Sequence, residues 1–244
     1  MKKLIIIGTL VVLLTPGLVT GCTGTKLIGS GNLVTKTYDY SGFTEIKAEN
    51  GMHVELTSSD TFSVEVIADD NVIDYIEVNK SGSTLRIRPK PNTQFRDATL
   101  TAKITMPELY ELKLSGGSHV NLTGFSSKHD LSVTLSGGSH LSDFITPSDI
   151  TAGNVDFNLS GGSHVRLIGS ADDLDINCSG GSHIDLEGFS ADNADINLSG
   201  GSHATVNVSG TLDVDISGGS KVYYIGNPTM GDTDVDWDSD LIQK

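Results

Sequence analysis

Apolar and polar residues alternate along most of the chain after Tyr38, with the two-residue period of a β-strand. Four such runs come before the middle of the chain: Met52–Leu56, Phe62–Val66, Leu85–Ile87 and Leu100–Met106. No stretch shows a convincing 3.6-residue helical period. Segment 38–108 therefore predicts about five strands with one buried face, which form a β-rich N-terminal region.

A repeated string organises the second half of the chain. Ser-Gly-Gly-Ser-His starts at residues 115, 136, 160, 179 and 199, and Ser-Gly-Gly-Ser-Lys follows at residue 217. Self-similarity about every 20 residues is typical of a solenoid. Apolar residues flank every copy with one parity, as Leu112, Leu114, Val120 and Leu122 do around the first. Segment 109–228 thus predicts an all-β fold, a parallel β-helix of about six stacked coils.

The same parity assigns a side to each residue of the string. In the first copy it places Gly116 and Ser118 on the inner face and His119 on the outer face. Alternatively, the Gly-Gly pair marks a bend where two strands of one coil meet. Cys178 stands where the other copies have Leu or Ile, so we expect a core thiol with no functional role.

The repeated histidines are the main candidates for chemistry. Stacked coils would align them about 4.8 Å apart, with Lys221 at the end of the row. The row consists of His119, His140, His164, His183 and His203. Imidazole is a common ligand for Zn, Ni and Cu, so the row is a candidate metal site. A single file offers two histidines per ion, whereas zinc sites use three or four protein ligands. The other interpretation is a stacked ladder on a solvated face, with no cofactor.

Catalysis is a poor match to this pattern. The adjacent Ser and His of each string point to opposite faces of a strand and cannot act as nucleophile and base. Polysaccharide-cleaving β-helices need clustered acids, often with arginine, yet only Arg166 falls within the repeats. We therefore predict a protein that is not an enzyme.

The N-terminus indicates export. Residues 1–21 combine Lys2 and Lys3 with an apolar run too short to span a bilayer, which is typical of a signal peptide. The segment ends in Val-Thr-Gly-Cys, which resembles a bacterial lipobox and makes Cys22 the predicted lipidation site. Ordinary cleavage nearby, with a free Cys22, is the alternative. Residues 22–37 are rich in Gly, Ser and Thr and predict a flexible tether.

The net charge limits the classes of partner that the protein is expected to bind. The net charge of −15 argues against nucleic acid and favours solubility or attraction of cations. Segment 229–244 alternates aspartates and predicts an acidic tail or cap, in which Trp237 would cover the last coil. Weak Ca²⁺ binding by this tail is a lesser alternative.

Several strings together resemble a bacterial family of auto-transporter adhesin head domains, often called the GIN domain. They include "YSGFTEIKAENGMHVEL", "LYELKLSGGSHV" and the closing "SGGSKVYYIGNP", and the resemblance runs over residues 38–228. It implies a secreted or lipid-anchored β-solenoid and offers no catalytic residues. Relatives commonly have Ser-Gly-Ser-Gly followed by Asp or Asn, so the histidines are a departure from the family pattern.

These observations predict an exported lipoprotein anchored to the cell membrane or outer membrane. Its function would be adhesion or binding, with an extracellular protein or glycan as partner. The alternative function is binding or buffering of a divalent transition metal by the histidine row.

Overall fold

The computed structural model describes residues 25–142 and 150–244. Within them the chain forms β-strands and one single-turn 3-10 helix, Ile73–Tyr75. The predicted all-β solenoid with stacked repeats is confirmed. No helix in this part of the chain is long and apolar enough to cross a bilayer.

Nine strands make up the N-terminal region. They are β1 (Thr25–Ile28), β2 (Leu33–Thr37), β3 (Glu45–Glu49), β4 (His53–Ser58), β5 (Ser63–Asp69), β6 (Ile76–Ser81), β7 (Thr84–Pro89), β8 (Thr93–Arg96) and β9 (Leu100–Met106). The repeats contribute β10 (Glu111–Ser115), β11 (His119–Thr123), β12 (Leu131–Leu135), β13 (His140–Ser142), β14 (Ile150–Thr151), β15 (Val155–Leu159), β16 (His164–Arg166), β17 (Gly169–Cys178), β18 (His183–Leu198), β19 (His203–Val208), β20 (Thr211–Ile216) and β21 (Lys221–Ile225). The last two strands are β22 (Thr229–Val235) and β23 (Asp240–Gln243).

Each coil of the repeat region has two main sides. The histidine side is built in spatial order from β4, β11, β13, β16, the start of β18, β19, β21 and β23. The aspartate side is built from β3, β10, β12, β15, β17, the end of β18, β20 and β22. All these pairings are parallel, so equivalent residues of successive copies lie side by side. A third, shorter side includes β14 paired with β17.

Alternation along the strands fills the interior. Leu112, Leu114, Val120 and Leu122 of the first repeat are all at most 2% exposed, and the later copies repeat this arrangement. Burial of each such side chain is worth about 1.5–3 kcal/mol. The stack therefore has one continuous apolar core along its axis.

The coils of the N-terminal region do not follow chain order. The coil of β7 and β9 lies beneath the coil of β3 and β4, and β10 and β11 lie above it. Antiparallel strands cover the lower end, with β6 on β7, β5 on β9, and β2 on the outer edge of β5.

Of the expected flexible tether over residues 22–37, the described residues 25–37 are held by paired strands and do not fit that expectation. Strand β1 pairs in parallel with β8, and β2 pairs with β5. Gly29 in the segment between them packs closely, since a Cβ on it would overlap the carbonyl oxygen of Asp97. A glycine here serves close packing, which composition alone does not distinguish from flexibility. The predicted signal peptide and Cys22 lie outside the described residues.

The acidic segment at the C-terminus continues the stack. Strands β22 and β23 pair in parallel with β20 and β21 and make a further coil. The expectation that Trp237 covers the last coil is wrong, because its side chain is 93% exposed at the corner between the two strands.

Candidate functional site

The Ser-Gly-Gly-Ser string forms the corner between the two sides. In the first repeat Gly116 and Gly117 have φ of 64° and 77°, a left-handed conformation that favours glycine. Gly116 is exposed rather than inward. The bend is therefore the correct one of the two interpretations, and the inner-face placement of Gly116 is wrong. Two consecutive left-handed residues break the strand alternation, which is why parity failed there.

The second serine of each string closes the corner from inside. Ser118 is fully buried, and its hydroxyl donates to the carbonyl oxygen of Ser115 at 3.0 Å. Equivalent bonds of 2.7–2.9 Å close the five other corners of the repeat. The peptide N–H of His140 then donates to the carbonyl of Ser118 in the coil below, at 2.9 Å. The repeated string is thus a structural corner that fixes the residue after it.

The residue so fixed is the histidine. All five repeat histidines stand in one register, and their rings stack face to face. Ring centroids of neighbours are 4.5–5.4 Å apart and ring planes lie within 2–13° of parallel. His119, His164 and His183 are exposed, and His140 and His203 are half-buried. The row is a continuous imidazole stack on the histidine side.

Two residues extend this row beyond what the sequence pattern indicated. His53 pairs with His119 at a centroid distance of 6.5 Å and a tilt of 33°. At the other end Asp240 follows Lys221 in register, and its carboxylate lies 2.6 Å from the amino group of Lys221. "NGMH" at 50–53 and "DSD" at 238–240 were the available signals, but both lack the Gly-Gly pair.

The stack disfavours protonation of two of its members, His140 and His183. Burial, and then the neighbouring imidazoles, lower the pKa of His140 and of His183 below the ordinary value. The Nδ1 atoms of His140 and His203 are buried without a hydrogen-bond partner. At neutral pH the imidazoles of His140 and His183 are therefore uncharged.

The ring geometry bears on the metal hypothesis. Two nitrogens bound to one zinc ion lie at most about 4.2 Å apart, given Zn–N distances near 2.1 Å. The centroids of neighbouring rings are 4.5–5.4 Å apart, a wider spacing than two nitrogens on one ion have. In the described part of the chain no three histidine, cysteine or acidic side chains are grouped to hold a metal. Chelation by the row would require its rings to rotate out of the stack.

The aspartate side carries two other rows. Asp156, Asp175, Asp195 and Asp213 are aligned in register, and burial together with Asp175 and Asp213 raises the pKa of Asp195. Beside them run Asn158, Asn177 and Asn197, continued by Asp215. Next to the corner these amides line a shallow groove of about 480 Å³, together with the hydroxyl groups of Ser160, Ser179, Ser199 and Ser217. The groove offers hydrogen-bonding groups at regular intervals along the axis.

Cys178 lies in the core, as its place in the repeat predicted. It is 4% exposed and in register with Leu159 below and Leu198 above. Burial raises the pKa of its thiol to about 12, so the thiolate is scarce at neutral pH.

Comparisons with known proteins agree with this architecture. The family described as "Putative auto-transporter adhesin, head GIN domain" matches residues 42–228. No curated protein matches the chain. A crystal structure of a "putative adhesin" from Parabacteroides merdae is similar at 18% identity and a TM-score of 0.76, over 91% of this chain and all of that one. A "putative adhesin" from Bacteroides fragilis is similar at 19% identity and a TM-score of 0.74, over 89% of this chain and 96% of that one. A "putative lipid binding protein" from Parabacteroides distasonis is similar at 20% identity and a TM-score of 0.72, over 90% of this chain and all of that one.

Proposed function

Because this chain belongs to the auto-transporter adhesin head family with the GIN domain, we propose that it is a non-enzymatic binding scaffold of the cell envelope. Its partners would be extracellular proteins or glycans, held along one of the two polar sides of the solenoid. The family description supports adhesion in general, and the partner class is our proposal.

One observation carries this proposal. Both sides repeat the same polar groups from coil to coil, namely imidazoles on one and carboxylates with amides on the other. The exposed large hydrophobic side chains of the described residues all lie within 28–34 or 230–242. A long polar surface with a regular spacing near 4.8 Å suits an extended partner that makes many weak, similar contacts.

Anchoring belongs to the same proposal. Cleavage after residue 21 and lipidation of Cys22 would hold the domain on the cell membrane or outer membrane. A Cys22→Ser variant would then leave the membrane fraction, and mass spectrometry of the native protein would show acyl chains on Cys22. A native chain without acyl chains would contradict the anchor and leave the binding scaffold to be tested separately.

Two matched variants test the scaffold. The mature chain would be assayed on arrays of glycans and of extracellular matrix proteins. One variant replaces His119, His164 and His183 with Asn, and the other replaces Asp156, Asp175 and Asp195 with Asn. All six side chains are exposed, so both variants should fold. We expect one variant to lose binding and the other to keep it. Binding that neither variant changes would show that these sides are not the contact surface.

Transition-metal binding is the second candidate. Only the alignment of His119, His140, His164, His183 and His203 supports it, and Lys221 ends the row with a cation. The parallel stacking of the rings speaks against it. Adhesion therefore stands ahead of binding of Zn, Ni or Cu.

A further inference from the structure

Exposed apolar side chains mark the two ends of the molecule. Ile28, Leu33 and Val34 are 63%, 56% and 38% exposed and lie at the lower end, on and beside the edge strand β2. The other group lies in the last coil and consists of Met230, Val235, Trp237 and Ile242. The two groups are separated along the histidine side by ten strand-to-strand steps, or roughly 48 Å at 4.8 Å per step. The eleven strands on this path are, in spatial order, β2, β5, β9, β4, β11, β13, β16, β18, β19, β21 and β23.

The lower group is held firmly on the domain. The carboxylate of Asp69 is 2% exposed and accepts hydrogen bonds from the peptide N–H groups of Gly31, at 2.6 Å, and Thr99, at 2.8 Å. These bonds lower the pKa of Asp69, so it stays ionised at neutral pH. The amide of Asn71 also donates to the carbonyl oxygen of Ile28 at 2.8 Å. Segment 25–37 is thus part of the folded end.

This leaves a very short connection to the predicted lipidation site. Only Thr23 and Gly24 separate Cys22 from Thr25, where β1 begins. Three peptide steps span at most about 11 Å, even when fully extended. A diacylglycerol on Cys22 would therefore hold β1 within about one headgroup layer of the bilayer.

We propose that the lower end of the solenoid rests on the lipid surface, with Ile28, Leu33 and Val34 in contact with the bilayer. This inference relies on the proposed lipid anchor. Lys26, Lys36 and Arg96 offset most of the negative charge of Asp69, Asp70, Asp74 and Asp97 in this part of the chain, and Lys36 pairs with Asp74 and Arg96 with Asp97, each at 3.5 Å. The excess negative charge of the chain is therefore not concentrated at this end. The solenoid then stands on the bilayer, with both polar sides accessible and its last coil pointing outward.

The single tryptophan of the chain makes this orientation measurable. The full-length mature lipoprotein would be reconstituted in phosphatidylcholine vesicles with or without bromine on the acyl chains, which quenches tryptophan on contact. In the native protein Trp237 reports on the outer end, and we expect no quenching. A Leu33→Trp variant that also carries Trp237→Phe reports on the lower end, and we expect about twofold quenching. An Ile28→Trp variant on the same background gives a second reading.

The outcomes separate the orientation from the anchor. Mass spectrometry and flotation of the same samples report acylation and membrane binding. Acylated, floating protein with unquenched Trp at positions 28 and 33 would overturn the orientation and leave the scaffold proposal intact. Quenching of Trp237 would overturn it as well, because the opposite end would then face lipid. A chain without acyl groups that does not float would overturn the anchor and this inference together.

Discussion

The imidazole rings of His119 and His140 lie face to face, with centroids 4.5 Å apart and planes within 3° of parallel. Such a pair is compatible with neutral rings, whereas two imidazolium ions at this distance repel each other. His53, His164, His183 and His203 extend the arrangement. The row thereby links the stability of the solenoid to pH.

We expect the free energy of unfolding to fall as pH drops below about 6.5. The folded-state pKa values of His140 and His183 lie below the ordinary 6.5, so the unfolded chain takes up protons first. The stabilising contribution is therefore present above that pH and is lost as pH falls through the folded pKa values. Denaturant unfolding at a series of pH values between about 7.5 and 5 measures it. This pH window lies above the ordinary pKa values of aspartate and glutamate side chains.

A double variant provides the control for this pH dependence. His140→Asn with His183→Asn should flatten the slope of stability against pH between those limits. His129→Asn, which lies outside the row, is the matched control, and the double variant should flatten the slope more than this single variant does. An unchanged slope in the double variant would show that the stacked rings do not cause the pH dependence.

The two glycines of one corner give a matched test of coil stacking. Gly161 and Gly162 both have a positive φ, of 66° and 75°, so alanine is strained at either position. A Cβ on Gly161 would lie 3.1 Å from the peptide nitrogen of Gly137 in the coil below, whereas a Cβ on Gly162 meets nothing within 4 Å. We expect Gly161→Ala to cost about 1 kcal/mol or more beyond Gly162→Ala. Equal losses in denaturant unfolding would contradict this account of the corner.

Cys178→Leu should fold with a change in stability of less than about 1.5 kcal/mol. Its neighbours Leu159 and Leu198 show that the row of core positions accepts leucine. In the native chain the thiol should resist an aromatic disulfide reagent until denaturant is added, because it is buried and its pKa is about 12. Rapid labelling of the folded protein would contradict the core assignment.

Gly29→Ala tests whether residues 25–37 are folded. The new Cβ would overlap the backbone at Asp97, which predicts a loss of about 1–3 kcal/mol and faster tryptic cleavage at Lys26 and Lys36. Ser30→Ala removes two exposed hydrogen bonds, one to the carboxylate of Asp70 and one from the peptide N–H of Asn32, and should have a smaller effect than Gly29→Ala. Equal cleavage in both variants and the native chain would mean that the segment is not held as described.

Zinc should not bind tightly to the folded chain. The separation of the stacked rings exceeds what two nitrogens on one ion allow. Calorimetric titration of an untagged protein with ZnCl₂ should show no binding with a Kd in the micromolar range or below. The same titration of a variant with all five repeat histidines changed to Asn should look alike. Micromolar binding that disappears in the variant would instead establish the metal alternative.

The sequence predicted the repeat region well because its period is strict. The alternation of apolar and polar residues along each strand identified the inward residues. The Gly-Gly pair was compatible with two interpretations, of which a bend was one. The first coil escaped detection because Asn50, Gly51 and Met52 stand in place of Gly-Gly-Ser, although Asn50 and Gly51 adopt the same left-handed conformation. His53 therefore stayed outside the predicted row.

Other features depend on contacts that no local pattern encodes. Gly29 reads as part of a flexible stretch, yet the absence of its side chain is what lets the chain pack against Asp97. The placement of β7 and β9 beneath β3 and β4 depends on which strand edges pair across the chain. Trp237 is apolar, yet its place at a corner leaves it exposed.

The order of the coils has a consequence for how the chain is delivered. Residues 45–58 make a coil whose lower neighbour, 84–106, emerges later from any machinery that threads the chain from its N-terminus. The first folded unit therefore has to wait until Met106 has passed through. After that point every new stretch of about 20 residues meets a finished edge and pairs with it, since each later coil contacts only its neighbours. Folding behind such machinery would thus proceed in two phases, with one long delay followed by short steps of about 20 residues each.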